Sequence, residues 1–218
     1  MDYRVLALDL WGFGDSDKSE SRFAIDNHVA MLSTFISDIG MANPIIVGHA
    51  LGAVVAIEYA AKNSEAVSKL MAISPPLLPD TVDRRLGNYP QSSVLSKVFR
   101  WKPIPNKEIE EDTERAGEKA ISKSLESFSG YNSLAKLQEI DCNVLLVFGE
   151  KDDVVDTTPI KTLDNRLNHV RHIALPDSKH FPMVDESSKF NRLLKDFADA
   201  DVSLDDLSLK EEWRRRTR

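Results

Sequence analysis

The residues best suited to chemistry lie in three loops that are far apart in the sequence. The segment Gly48–Gly52 reads Gly-His-Ala-Leu-Gly and separates an apolar run from a helical stretch. A G-x-S-x-G motif at such a strand-turn-helix elbow presents a serine oxygen for acyl transfer. Asp152 follows a strand predicted over Val144–Phe148, and His180 follows one predicted over Val170–Leu175. An acid and a histidine can together orient an imidazole and move a proton at a reacting centre.

The serine position of the elbow is occupied by Ala50. Acyl transfer through a serine intermediate needs a hydroxyl group, so conventional serine hydrolysis is excluded at this position. Loss of one member of a catalytic triad typically lowers turnover by about 10⁴ to 10⁶ while some residual rate remains. The reaction that remains is direct attack on the substrate by a water molecule that His180 activates. In this reaction Asp152 would fix the tautomer of the His180 ring.

The elements that must position these loops alternate between short β-branched runs and amphipathic stretches, which predicts an α/β protein with a mostly parallel sheet flanked by helices. Strands are predicted over Tyr3–Leu10, Ile45–Val47, Lys69–Ile73, Val144–Phe148 and Val170–Leu175, and helices over Asp26–Ile39, Ala53–Ala61, Lys107–Phe128, Thr157–Leu167 and Glu186–Phe197. In the first helix, Asp26 is expected at the N-cap and Gly40 in the left-handed position that ends it. Open α/β sheets bind ligands at the carboxyl ends of their strands, so the three loops are expected to meet there.

The composition predicts three parts. Residues 1–74 and 142–200 form the α/β core, residues 75–141 form an inserted helical cap rich in proline, charge and scattered aromatics, and residues 201–218 form a tail. The tail holds a possible capping box and a cluster of arginines. That cluster is better explained as the basic end of a last helix than as a phosphate site.

Charge and composition narrow the possible partners. The chain has 218 residues, 42% of them hydrophobic, and a formal net charge of −7, which argues against nucleic acid or an anionic membrane as a partner. A single cysteine, Cys142, suits a reducing compartment, and no leader or bilayer-length apolar stretch is found, so we expect a soluble cytoplasmic protein. No metal site and no cofactor are implied, because the histidines and acids show no zinc-like cluster. A small-molecule substrate or ligand is the expected partner, and the oligomeric state stays open.

The segments together resemble the α/β-hydrolase fold family from Tyr3 to about Phe197. The segment Asp9–Ser16 is similar to the loop after the family's fourth strand, and the elbow matches at four of five positions. The segment His180–Pro182 is similar to the family's histidine loop. Each match is weak alone, but the order elbow, acid, histidine is the one that the family has.

The resemblance implies roles for individual residues. Asp152 corresponds to the acid of the family, His180 to its histidine and Ala50 to its nucleophile position, while the backbone amide of Leu51 is the remaining oxyanion donor. The elbow sequence with a natural alanine at this position is similar to the one found in the aminoacrylate or carbamate hydrolase branch of the family. His49 corresponds to a position that commonly packs under the turn, so we interpret it as structural and only weakly as a substitute nucleophile.

Each role has a simpler alternative. Asp152 and its neighbour Asp153 can both be solvated loop acids, although the family's acid stands third after the glycine, as Asp152 does. His180 can be a surface or core histidine, as His28 and His172 are expected to be. Its loop position and the Phe-Pro pair after it favour the catalytic interpretation.

The resemblance also implies that the first three strands of the family are missing, since Tyr3–Leu10 corresponds to the fourth. The third strand lies between the fourth strand and the elbow strand, so its loss would leave two rows of unpaired backbone groups. The loop after it normally supplies a second oxyanion donor, worth roughly 3 kcal/mol. The simplest interpretation is a fragment or a misplaced start, with Met1 an internal methionine of a longer protein.

Three functional hypotheses remain. The first is a hydrolase of a small ester, lactone, amide or carbamate that uses the water activated by His180 and Asp152. The second is a catalytically inactive relative that binds a ligand or a partner. The third is a truncated product without function, for which we expect poorly cooperative unfolding and exposed apolar surface.

Overall fold

A computed structural model describes residues 3–82, 115–117, 119–163, 167–199 and 203–209. Contacts within it group the chain into two units. The first unit draws on residues 1–41 and 83–131, and the second on residues 42–82 and 132–218.

The second unit is built on a parallel sheet of four strands. These are β1 (Ile45–His49), β2 (Lys69–Ile73), β3 (Asn143–Gly149) and β4 (Val170–Leu175), in the order β1-β2-β3-β4. All four lie where the sequence predicts strands, and β1 and β3 are longer than predicted by two residues each. The carboxyl ends of all four strands therefore meet at one edge of the sheet.

The middle of this sheet is fully buried. The side chains of Leu70, Met71 and Ala72 in β2 and of residues 144–147 in β3 have no exposed surface. Strands of a parallel sheet that are buried on both faces read as continuous apolar runs, which is the pattern that these segments have.

Within the described residues, the helices of the second unit are α2 (Leu51–Lys62), α4 (Ser133–Lys136), α5 (Pro182–Asp185) and α6 (Ser187–Ala198). The apolar stripe of α6, formed by Phe190, Leu193 and Phe197, packs in one cluster with β3 and β4. The helix predicted over Thr157–Leu167 is instead a short 3-10 helix over Thr158–Thr162, because Leu163 turns to extended backbone and ends it. Residues 164–166 of that prediction lie outside the described residues.

The first unit contains α1 (Ile25–Ile39) and α3 (Ala120–Phe128). Helix α1 ends as predicted at Gly40, which has φ +67° in the left-handed region. The predicted N-cap was wrong, because the helix begins one residue before Asp26. The amide of Ile25 donates to Ser127 Oγ at 3.0 Å, so a side chain distant in sequence serves the start of the helix.

The strand predicted over Tyr3–Leu10 was also wrong. These residues form no strand and do not belong to the described sheet, and the Val5 side chain is 84% exposed. An apolar β-branched run favours extended backbone, but a strand also needs a neighbour that shares its hydrogen bonds.

Two other predictions fall partly on residues that the structure does not describe. About half of the predicted cap, residues 83–114 and 118, lies outside the described part, and the boundaries of the cap stay a prediction. The possible capping box in the tail pairs Ser208 with Glu211, and Glu211 lies outside the described residues.

Candidate active site

The elbow holds Ala50 in a backbone conformation that non-glycine residues rarely adopt. Its φ is +49° and its ψ is −113°, at the point where β1 passes into α2. The amide of Ala50 donates to the Ile73 carbonyl at 2.9 Å, and its carbonyl accepts from the amides of Ala53 and Val54. A strained residue of this kind costs about 1 to 3 kcal/mol and persists only where its surroundings hold it. The elbow therefore keeps its strained geometry without the serine.

Close packing between β1 and α2 requires a glycine before the elbow. A Cβ added to Gly48 would lie 2.3 Å from the carbonyl oxygen of Gly52 and 2.8 Å from Ala53 Cα. A Cβ at Gly52 would meet no heavy atom within 4 Å. Of the two glycines in the motif, only Gly48 is needed for steric reasons.

Leu51 is the first residue of α2. The amides of a first helical turn have no acceptor within their own helix, and the partial positive charge at this end favours a developing anion. The structure thus places the predicted oxyanion donor at a helix N-terminus, and its role in a reaction stays a prediction.

The structure brings Asp152 and His180 together. Asp152 Oδ2 lies 3.0 Å from His180 Nδ1, and the two side chains are 1% and 7% exposed. The other carboxylate oxygen accepts from the amides of Val154 and Val155 at 2.9 and 3.1 Å. An ionised carboxylate only accepts, so Nδ1 carries the proton of the neutral imidazole and its Nε2 is left as a base.

Several groups act on the pKa of Asp152. Burial by itself would raise it, but the hydrogen bond and positive charge of His180 and the amides of Val154 and Val155 outweigh burial. The pKa of Asp152 is therefore lowered from 3.8, and this carboxylate is ionised at neutral pH.

The loop that carries His180 is hydrogen-bonded to the junction between α5 and α6. Glu186 accepts from the Asp177 amide and from Ser178 Oγ, both at 2.9 Å. Asp185 accepts from the Lys179 amide at 2.8 Å. These contacts hold three consecutive residues before His180.

Two further side chains contact the main chain of His180. His49 Nε2 lies 2.8 Å and Ser74 Oγ 3.2 Å from its carbonyl oxygen. The sequence analysis did not identify Ser74 as a functional residue, since it placed Ser74 only after the end of the strand predicted over Lys69–Ile73. Its position at the carboxyl end of a strand was the available signal, because ligands and active-site residues collect at that edge of the sheet.

Within the described ranges, no group of three or more histidine, cysteine or acidic residues could hold a metal ion. No helix in the same ranges is long and apolar enough to cross a membrane.

A strained elbow, a buried acid–histidine pair and a parallel sheet are together typical of one class of protein. The model of the alpha/beta hydrolase family matches residues 2–193 of this chain. The chain therefore belongs to the alpha/beta hydrolase family, which confirms the predicted fold and the family resemblance identified in the sequence. The similarity to the aminoacrylate or carbamate hydrolase branch and the missing first three strands stay predictions.

The chain is similar to several proteins of Arabidopsis thaliana. The probable lysophospholipase BODYGUARD 4 is 32% identical over 108 residues, which are 47% of this chain and 24% of that protein. The alpha/beta hydrolase domain-containing protein VTE7 is 27% identical over 217 residues, which cover 88% of this chain and 64% of VTE7. The chain thus matches about a quarter of one relative and less than two thirds of the other.

Among solved structures, the chain is similar to an esterase from Exiguobacterium antarcticum. The TM-score is 0.75 with 19% sequence identity, over 86% of this chain and 78% of the esterase. At this level of identity the similarity shows the fold alone.

Proposed function

We propose that this protein hydrolyses a small ester, lactone, amide or carbamate with a water molecule activated by His180 and Asp152. The observation that carries the proposal is the buried hydrogen bond of 3.0 Å between these two side chains. This hydrogen bond leaves His180 Nε2 as the basic nitrogen. The His180 ring also contacts the ring of His49, which directly precedes Ala50 in the sequence. Membership of a hydrolase family and a relative named as a probable lysophospholipase support the same reaction class.

In the proposed reaction, His180 Nε2 removes a proton from water as the water oxygen attacks the carbonyl carbon of the substrate. The negative charge that develops on the carbonyl oxygen is stabilised by the Leu51 amide at the start of α2. The imidazolium then returns its proton to the leaving oxygen or nitrogen as that bond breaks. Asp152 stabilises the transient imidazolium and fixes the ring orientation.

The test is hydrolysis of small 4-nitrophenyl esters, lactones and carbamates by the wild-type protein and by His180→Ala. The matched control is His172→Ala, which removes an exposed histidine from β4. We expect His180→Ala to lose about 10² to 10⁴ of the rate, while His172→Ala keeps it. Equal rates in all three proteins would overturn the proposal.

A second candidate function follows from Ala50 itself, since the residue that forms the acyl intermediate in serine hydrolases is absent. In this alternative the protein binds a ligand or partner without turnover. Ligands from the same panel would then raise the melting temperature of wild-type protein and His180→Ala alike, and neither protein would hydrolyse them.

A further inference from the structure

The carbonyl group of His180 is held from two neighbouring strands. His49 is the last residue of β1, and Ser74 follows β2 directly. His49 Nε2 and Ser74 Oγ lie 2.8 and 3.2 Å from the same His180 carbonyl oxygen. A carbonyl oxygen can only accept, so both side chains donate to it.

Both donors are themselves constrained. Ser74 is fully buried with φ +44°, and its amide donates to the Val147 carbonyl at 2.7 Å. The ring of His49 lies 4.8 Å from the rings of His180 and Phe181. The backbone hydrogen bond of Ser74 and the ring contacts of His49 therefore restrict the positions of both donors.

The charge state of His49 suits a donor. Burial, followed by the charge of His180, lowers the pKa of His49 to about 3. Its ring is therefore neutral at neutral pH, and the single proton of that neutral ring is on Nε2, because this nitrogen faces a carbonyl oxygen.

We propose that His49 and Ser74 form a two-donor clamp on the His180 carbonyl and that both are positioning residues for the His180 imidazole. The proposal rests on the function proposed above, in which His180 moves a proton at a water beside Ala50. Because His49 directly precedes Ala50, the clamp connects the backbone of the elbow to that of the proton-transfer residue. A displacement of about 1 Å in such a site can lower the rate by about 10²-fold.

Four variants separate the clamp from general packing. His49→Phe keeps an aromatic ring and loses the donor, whereas His49→Gln loses the ring and keeps an N–H donor. Ser74→Ala loses the hydroxyl group. Ser133→Ala is the matched control, since Ser133 is also fully buried but its Oγ has no hydrogen-bond partner among the described residues.

The first measurement is ¹⁵N NMR of the His180 imidazole through a pH titration, with the resonances assigned by comparison with His180→Ala. We expect His49→Phe and Ser74→Ala to shift the ring resonances and the titration midpoint of His180. His49→Gln is expected to restore most of the wild-type values, and Ser133→Ala to leave them unchanged. If turnover is found, His49→Phe should lower kcat by about 10- to 100-fold with little change in KM.

Unchanged His180 resonances and midpoint in both His49→Phe and Ser74→Ala would overturn the clamp. Should His49→Phe fail to fold, Ser74→Ala and His49→Gln decide the question by the same spectra. The NMR measurement needs no turnover. A wild-type protein without hydrolytic activity would therefore count against the proposed function and leave the clamp to be judged by the spectra.

Discussion

At the scale of single residues, the most unusual feature is a strained nucleophile elbow that holds an alanine, Ala50. The backbone keeps the positive φ of a nucleophile elbow, although the alanine has no nucleophile to present. Strain of this kind clusters at functional sites, where surrounding contacts over-determine it. Here those contacts are the bond from the Ala50 amide to Ile73 and the bonds from α2 to the Ala50 carbonyl.

This geometry predicts the result of Ala50→Ser. The new hydroxyl would occupy the position from which a serine attacks in this family, with Asp152 and His180 already hydrogen-bonded to each other. We expect the variant to become covalently labelled by an organophosphonate ester, measured by a mass shift on the intact protein. The double variant Ala50→Ser/His180→Ala should label at least about 10³-fold more slowly. Labelling of the double variant at the same rate would show that His180 does not activate this position.

Asp152 gives a second prediction at the same scale. Asp152→Asn removes the negative charge that stabilises the imidazolium and favours the wrong tautomer of His180. If the wild-type protein hydrolyses a substrate of the panel, we expect kcat to fall by about 10³ to 10⁴. The control is Asp153→Asn, which changes the adjacent acid in the same loop and should keep most of the activity. The opposite ranking would assign the role to Asp153.

At the scale of elements, the junction between β1 and α2 depends on how closely the strand and the helix approach. The two glycines of the elbow motif look equivalent in the sequence, but the structure separates them. Only Gly48 faces backbone atoms at distances too short for a side chain.

We therefore expect Gly48→Ala and Gly52→Ala to change stability in opposite directions. A Cβ at Gly48 meets backbone that cannot move without disturbing α2, so this change should lower the free energy of unfolding by about 2 to 4 kcal/mol. Gly52 lies in α2 with open space around it, so alanine there should be neutral or stabilise by up to about 1 kcal/mol. Urea denaturation of both variants measures the difference, and equal destabilisation would contradict this account of the junction.

Sequence patterns predicted the four strands of the sheet, but they did not predict the backbone of Tyr3–Leu10 or the start of α1 correctly. The positions of β1 to β4 could be predicted from apolar runs, because strands that are buried on both faces of a parallel sheet are almost continuously apolar. The run Tyr3–Leu10 is also mostly apolar and is not a strand, because a strand requires pairing between two segments. The start of α1 was misplaced for a related reason, since Ser127 lies 102 positions away from the amide that it caps.

At the scale of the whole molecule, buried histidines make stability depend on pH. His28 has no exposed surface, and burial lowers its pKa from 6.5 to about 4. Between these two values the unfolded chain binds a proton that the folded protein does not. The contribution of the neutral His28 ring to the free energy of unfolding is therefore fully present above about pH 6.5, and it is lost as the pH falls towards 4.

His28→Leu should weaken this acid sensitivity. A group of this kind contributes at most about 1.4 kcal/mol per pH unit, so the loss of stability between pH 6.5 and 4.5 should shrink by roughly 2 to 3 kcal/mol. The measurement is urea denaturation at both pH values, compared with His172→Leu, in which an exposed histidine is replaced. His49, with a pKa of about 3, responds in the same direction and stays in both variants. An identical pH dependence in wild type and His28→Leu would contradict the prediction.

The sequence by itself determined the family and the four strands of the sheet, and it predicted which residues could take part in proton transfer. These are local properties, since apolar periodicity and short motifs are contained within single segments. Only the tertiary structure decided that Asp152 is the carboxylate that meets His180, that Gly48 rather than Gly52 is the sterically required glycine of the elbow, and that His49 and Ser74 share the His180 carbonyl. Each of these depends on distances between segments remote in the sequence, and such distances arise only when the chain packs.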